Sequence, residues 1–327
     1  MQLIDSHGRI HDYLRLSLTS HCDLRCLYCI PEDGEHPFLD NRWMTAEEIY
    51  GIAGIFKQAG INKIRLTGGE PLVRKDIQKI MDYLARLRVP LSMTTNGVRL
   101  AEIIDLVEAG FLESINISLD TLRRDRFFAI TKRDKFDTVF GNISSLIGMK
   151  VKLKLNVVVM RDINDDEVND FVELTRFWPI EVRFIEFMPF SGNGWGQKKI
   201  VGAGELMRLI GQKYSCHKVP DHKHDTARKY QVEGHRGKIA VISTITQPFC
   251  SGCNRIRLTA DGKMKNCLFS QTEEDLLMPY RAGRDILPLI RRSLRAKAAQ
   301  TGGQLPFGSE EWEAESLINR SMITIGG

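Results

Sequence analysis

The chain has 327 residues, room for one large α/β domain or two ordinary ones. Its 43% apolar and 27% charged residues suit a globular interior under a wetted surface and exclude a largely disordered or fibrous chain. The formal charge of +5, from 46 basic and 41 acidic side chains, suits a small anionic substrate and a nucleic acid equally, so it excludes neither.

Residues 12–18 alternate apolar with polar and read as a strand. A loop rich in Pro, Gly and acidic residues runs from Pro31 to Asn41. Thr45 and Glu48 form a capping box that opens a helix with Ile49, Ile52, Ile55 and Phe56 on one face, closing near Gly60. Strands at 62–67, 90–95, 114–119, 151–159 and 181–187 then alternate with helices near 74–88, 99–109, 136–149 and 166–177. Six β/α units of this length predict a parallel sheet, open or curved into part of a barrel, and periodicity does not choose between them.

The texture changes after Phe190. Residues 191–196 are a loop, 203–213 a helix, and 216–237 an exposed excursion carrying Cys216, His217, His222, His224 and His235. Strands at 238–243 and 255–259 flank a second group of cysteines, with a tight turn at Asp261-Gly262. Helices follow at 272–279 and 285–299, and the tail runs Ser321 to Gly327. A boundary near residue 195 divides a core of 1–195 from a C-terminal region of 196–327.

No stretch approaches the ~20 apolar residues of a bilayer span, and the first residues hold no apolar leader segment. A cytoplasmic protein is expected, with its seven cysteines as thiols. Six of them form two tight sets, Cys22, Cys26, Cys29 and Cys250, Cys253, Cys267. Three soft thiolates on a four-iron cube leave one iron open to a small chelating molecule, whereas structural zinc wants a fourth ligand. His21 stands next to the first set at poor spacing, and the histidines of 217–235 are candidates for the second.

Cys22-Asp-Leu-Arg-Cys26-Leu-Tyr-Cys29, with Tyr28 before the last cysteine, resembles the signature of the radical S-adenosylmethionine superfamily. Gly68-Gly-Glu-Pro71, Thr94–Gly97 and Ser118–Asp120 end the next three strands, where β/α sheets build their sites. Two glycines there allow close backbone approach. Around the second set, Arg255 and Arg257 share one side of a strand and make an anion site. Arg15, Lys63, Arg65, Lys154 and Arg183 are further cations inside strand segments, a pattern that calls for a strongly anionic ligand such as a triphosphate.

Over essentially its whole length the chain resembles the GTP 3′,8-cyclase (molybdenum cofactor biosynthesis protein A) family. The likeness rests on Tyr13–Ser17, both cysteine sets, Lys63–Pro71, Ser114–Asp120, Arg183–Pro189, Phe249–Thr259, Cys267–Phe269 and Gly326-Gly327. It implies a partial (β/α)6 TIM-like barrel of the radical S-adenosylmethionine type, with a C-terminal extension carrying a second cluster. Cys22, Cys26 and Cys29 would bind the [4Fe–4S] cluster that holds S-adenosylmethionine, with Tyr28, Gly68, Glu70, Thr95, Ser118 and Met188 around that cofactor. Cys250, Cys253 and Cys267 would bind a second [4Fe–4S] cluster facing guanine. Arg15, Arg255 and Arg257 would be catalytic and surround GTP, with Lys63, Arg65, Lys154 and Arg183 as further contacts. Gly326 and Gly327 would reach the active site. The implied chemistry is hydrogen abstraction from C3′ of GTP and closure of C3′ on C8, giving 3′,8-cyclo-7,8-dihydro-GTP. The implied partners are a flavodoxin- or ferredoxin-type low-potential donor and cyclic pyranopterin monophosphate synthase downstream; a homodimer is left open, and neither membrane nor nucleic acid is expected. Two other classes stay on the table: a radical enzyme with an auxiliary cluster acting on a peptide or RNA, and a non-catalytic electron carrier or zinc module.

Overall fold

Period-two alternation makes the strands here, because one side of each must be apolar to receive helices and the other is not. In the computed structural model, which describes residues 2–30, 43–190, 192–304 and 317–326, six such strands run parallel in sequence order. They are β1 (Tyr13–Ser17), β2 (Lys63–Thr67), β3 (Leu91–Thr95), β4 (Ser114–Ser118), β5 (Lys152–Val159) and β6 (Glu181–Glu186). Leu14, Leu16, Ile64, Leu66, Ile115, Ile117, Leu155, Val157 and Phe184 form the helix-facing side and are buried. The alternate residues, among them Arg15, Arg65, Asn116, Lys154 and Arg183, form a polar inner face.

The expected capping box is present. Thr45 N donates to Glu48 Oε2 at 2.8 Å, and Glu48 N donates to Thr45 Oγ1 at 3.2 Å, opening α1 (Ala46–Gln58). Gly60 ends it with φ 114°. The other crossovers carry α2 (Ile77–Ala85), α3 (Ile104–Glu108), α4 (Arg124–Thr131), α5 (Phe136–Leu146) and α6 (Val168–Phe177). The single helix expected at 99–109 is a 3₁₀ turn, Leu100–Ile103, followed by α3. No helix was expected at α4, whose N-cap, Arg123, makes no side-chain capping bond.

Beyond residue 195 the strands rejoin the same sheet. β9 (Lys238–Ile242) pairs parallel with β6, and β10 (Arg255–Leu258) pairs parallel with β1. The excursion expected at 216–237 is a correction: it contains β7 (Cys216–Lys218) and β8 (Arg228–Val232), which pair antiparallel and extend the sheet from β9. The helix expected at 272–279 is also corrected. After β11 (Lys263–Lys265), residues 274–275 form β12 (Glu274–Asp275), and only then does α8 (Leu277–Arg281) begin. Also present are α7 (Ala203–Gly211), α9 (Leu287–Arg295) and α10 (Met322–Ile325).

The result is one mixed sheet in the order β12-β11-β10-β1-β2-β3-β4-β5-β6-β9-β8-β7. It is a partial barrel, not a closed one. Its curvature is visible in one contact: His224, in the β7–β8 loop, places Nδ1 3.0 Å from the Gly252 carbonyl, just before β10. A flat sheet would hold those strands roughly 40 Å apart.

Candidate functional site

The loop after β1 carries the first cysteine set. Arg25 N and Leu27 N donate to the carbonyls of Thr131 and Ile130 at 2.9 and 3.0 Å, so α4 and its end hold the loop in place. Cys22, Cys26 and Cys29 line one cavity with Gly68, Gly69, Thr94 and Thr95 from the ends of β2 and β3. Met322 and Ile323 of α10 close its other side. Burial pushes all three thiols up, Cys29 to about 12, with Glu70 adding to the effect at Cys22 and Asp120 at Cys29. Such thiols stay protonated unless a cation takes the proton's place, which suits metal binding. Among the described residues no set of His, Cys, Asp and Glu closes on a single metal ion. Three thiols around a shared cavity therefore fit a polynuclear iron–sulfur cluster better than one zinc.

The Gly68-Gly69 pair has a reason that the sequence did not show. A Cβ on Gly68 would sit 2.7 Å from the Thr19 carbonyl oxygen, and one on Gly69 2.3 Å from that of His21. The close approach is thus to the cysteine loop's own backbone, through Gly69 N to Thr19 O and Glu70 N to His21 O, both 2.7 Å. Glu70 was expected beside the cofactor. Here it is 1% exposed and accepts from Leu72 N, Thr95 Oγ1 and Asn96 N at 3.0, 2.7 and 2.6 Å. Burial raises it to about 7 against those three bonds. Glu70 and Thr95 are thereby tied to each other, and they shape the loop floor. Tyr28 donates its hydroxyl to Asp120 at 2.6 Å, anchoring the cysteine loop to the end of β4 beside Ser118. Met188 packs with Phe190, Phe269, Leu317 and Ile325, and Asn193 Nδ2 donates to the carbonyls of both Met188 and Tyr28, at 2.9 and 3.4 Å.

The second set is brought together from the 250–253 loop and the end of β11. Burial raises the Cys250 thiol, and Cys267 and Cys253 lie close enough to add to that rise. Thr301 N donates to Cys250 Sγ at 3.4 Å, and Lys297 Nζ to Cys253 Sγ at 3.5 Å. Burial pushes Cys253 up, but Arg255 and Lys297 outweigh it and bring the thiol down to about 6. Of the histidines that could complete a zinc site, only His224 reaches the cysteine loop, and its Nδ1 is taken up by the backbone there. His235 bonds Thr175, His224 bonds the Gly252 carbonyl, and His217 and His222 are exposed.

The polar inner face lies between the two sets. Register puts Arg257, Arg15 and Arg65 side by side across β10, β1 and β2, with Arg255, Tyr13 and Lys63 in the row below. Arg65 donates to Tyr13 Oη at 2.5 Å and to the Met93 carbonyl at 3.1 Å. Among the described residues Arg15, Arg65, Arg255, Arg257 and Lys154 have no carboxylate partner. Burial and then Arg257 lower Arg15 well below its usual value. Burial and then Arg255 lower Arg257 to about 10, and burial and then Arg183 lower Lys154 to about 7. Buried on the same face without hydrogen-bond partners are Arg15 Nε, Thr67 Oγ1, Asn116 Oδ1 and Asn156 Oδ1. Clustered like charges and unmet polar groups are costly, and an anionic, hydrogen-bonding ligand removes both costs. Two expected contacts are already partnered: Lys63 pairs with Glu113 at 3.2 Å and Arg183 with Glu181.

The tail ends here too. The Gly326 carbonyl accepts from Arg257, and Gly326 has φ 88°. A Cβ there would meet Thr67 Oγ1 at 2.6 Å and Ser17 Cβ at 3.0 Å, so only glycine fits. Gly327 lies outside the described residues. Arg320 holds the tail by 3.0 and 2.9 Å bonds to Asp261 and a 2.6 Å pair with Glu273. Asp120 ends the Ser118–Asp120 motif, but Asn96, whose Nδ2 is 3.6 Å from Cys22 Sγ, Lys297 and Arg320 were given no role from the sequence. The Thr94–Gly97 motif was a signal for Asn96; a lone Lys or Arg in a helix-to-loop segment gives none.

Residues 16–175 match the Radical SAM superfamily and residues 180–302 match Molybdenum Cofactor Synthesis C. The chain is 44% identical to the mitochondrial GTP 3′,8-cyclase of Arabidopsis thaliana, covering 99% of this chain and 83% of that protein. It is 37% identical to the GTP 3′,8-cyclase of Peptoclostridium acidaminophilum, covering 99% and 98%. Human Molybdenum cofactor biosynthesis protein 1 is 41% identical over 99% of this chain, which spans 51% of that longer relative. Among solved structures, Streptococcus suis SuiB bound to S-adenosylmethionine superposes with a TM-score of 0.64 at 16% identity, over 89% of this chain and 70% of SuiB. That likeness concerns the fold. Among the described residues no helix is long and apolar enough to cross a membrane.

Proposed function

The chain belongs to the GTP 3′,8-cyclase family of the radical S-adenosylmethionine superfamily, and from that premise we propose that it converts GTP to 3′,8-cyclo-7,8-dihydro-GTP, the first step of molybdenum cofactor biosynthesis. Membership carries S-adenosylmethionine and a [4Fe–4S] cluster, held by Cys22, Cys26 and Cys29, which when bound supply the radical chemistry that removes hydrogen from C3′ of the nucleotide. Cys250, Cys253 and Cys267 hold a second [4Fe–4S] cluster on the far side of the inner face. Arg15, Arg255 and Arg257 orient the nucleotide, while Arg65 and Lys154 take the phosphates. Lys63 and Arg183 join them only by leaving Glu113 and Glu181, or by sharing them. Gly68 and Gly69 let the floor loop pack against the cysteine loop, Glu70 and Thr95 fix its shape, and Tyr28, Ser118 and Met188 border the cofactor. Gly326, with Gly327 after it, covers the guanidinium of Arg257 from the tail side and helps exclude water.

The observation that carries this reading is the row of unpaired cations between two three-thiol sets. A peptide or RNA substrate has no comparable need for so compact a charge in so enclosed a face. All seven cysteines are free thiols, which suits a reducing cytoplasm and a flavodoxin- or ferredoxin-type donor. The unstable product calls for a synthase downstream. Anaerobic reconstitution should give about eight irons per chain, falling to about four in Cys253→Ala. 5′-Deoxyadenosine should form only when GTP is present. Four irons plus one zinc, or cleavage indifferent to GTP, would refute the reading.

A further inference from the structure

Lys297 follows α9 and is 3% exposed. Its Nζ donates to Cys253 Sγ at 3.5 Å and to the Arg255 carbonyl at 3.2 Å. Among the described residues no carboxylate lies within ion-pair distance of it. A buried ammonium without an anionic partner is costly, and the anion within reach is the cysteine sulfur.

The segment around Lys297 is held firmly. His7 Nε2 is 3.1 Å from the Lys297 carbonyl. Arg9 donates to the carbonyls of Ala298, Ala299 and Cys250 at 2.8, 2.6 and 2.9 Å. Arg9 is itself fixed by Asp5 at 2.6 Å. The N-terminal residues therefore clamp 297–301 against the 250–253 loop, and that segment donates to two of the three sulfurs.

The first cysteine set is surrounded differently. Cys22 Sγ accepts from Leu24 N at 3.4 Å and Asn96 Nδ2 at 3.6 Å, both neutral donors. The carboxylates nearby are those of Glu70, Asp23 and Asp120. Negative neighbours oppose adding an electron to a cluster, and a cation bonded to a ligand sulfur favours it.

We propose that Lys297 is the built-in counter-ion of the second cluster, raising the reduction potential of that cluster above what its three cysteines alone would set. This rests on the second cluster being present, and the test separates the two claims. The full chain carrying Cys22→Ala, Cys26→Ala and Cys29→Ala is reconstituted anaerobically so that only the second site can hold iron. Iron and sulfide analysis comes first: an absence of four irons in this background refutes the second cluster itself and leaves nothing to tune. With four irons present, the one-electron couple is titrated against redox mediators and followed by EPR, in Lys297, Lys297→Arg, Lys297→Gln and Lys297→Met forms. Lys297→Met should make reduction at least tenfold less favourable, a shift of about 59 mV to more negative potential for one electron. Lys297→Gln, which keeps a donor without the charge, should fall between, and Lys297→Arg should stay near the parent. An unchanged potential in Lys297→Met with four irons bound would overturn the proposal. So would loss of iron from all three variants, Arg included, because Lys297 would then serve assembly and not potential.

Discussion

Lys154 gives a test of the anion site that needs no turnover. Burial and then the charge of Arg183 bring its ammonium down to about 7. At pH 8 about nine-tenths of such a lysine is neutral. A triphosphate bound on the inner face supplies the missing counter-charge and restores the proton. GTP binding at pH 8 should therefore take up about 0.9 of a proton, and affinity should fall about tenfold per pH unit above 7 until the complex's own pKa is reached. The terminal phosphate, with its second pKa of about 6, is already ionised there. Calorimetry of GTP binding without S-adenosylmethionine, in two buffers of different ionisation enthalpy, reads the uptake directly. Lys154→Arg should abolish it. Zero uptake by the parent protein, or equal uptake by Lys154→Arg, would refute the reasoning. The same depression acts on stability without ligand. The unfolded chain holds this proton up to about 10.5 and the folded one only to about 7, so the ligand-free fold gains stability as pH rises across that window.

Gly326→Ala adds a Cβ where φ is 88° and Thr67 Oγ1 would be 2.6 Å away. The strain of about 1–2 kcal/mol plus the clash should lower kcat/KM for GTP at least about tenfold, with faster hydrogen exchange over 321–326; unchanged exchange would contradict the docked tail. Glu70→Gln turns an NH₂ toward one of three donors and should cost about 1–3 kcal/mol, seen as a lower urea midpoint at the same slope. Thr45→Ala removes the capping box of α1 and should cost about 1 kcal/mol in the same assay, with GTP turnover per folded chain unaltered.

Much of the core was legible because it obeys local rules. The six parallel strands announced themselves by alternation, and their basic residues at period two do share the inner face. The thiol sets were readable from spacing alone. What escaped depends on short or distant pairings. β7, β11 and β12 have two or three residues each, too few for any period, and they exist because an edge strand was there to pair with. The two glycines of the Gly68-Gly69 loop were assigned to a ligand, whereas a neighbouring backbone requires them. Lys297 and Arg320 look like solvent-facing charges until the N-terminal clamp and the tail are folded over them. Glu186 is similar: it is fully buried, and its carboxylate gathers Ala203 N, Ile245 N and Thr246 N from the far side of residue 195.

The sheet's strand order has a consequence for synthesis. β1 and β6 are the outer members of the six-stranded run, and both are covered only by strands drawn from residues 238–258. A nascent chain that has just emerged through β6 thus carries two naked parallel edges, ready to pair with any neighbour. The ribosome must add more than fifty residues before β6 is capped and some seventy before β1 is. Chains halted after Phe190 should therefore aggregate on release.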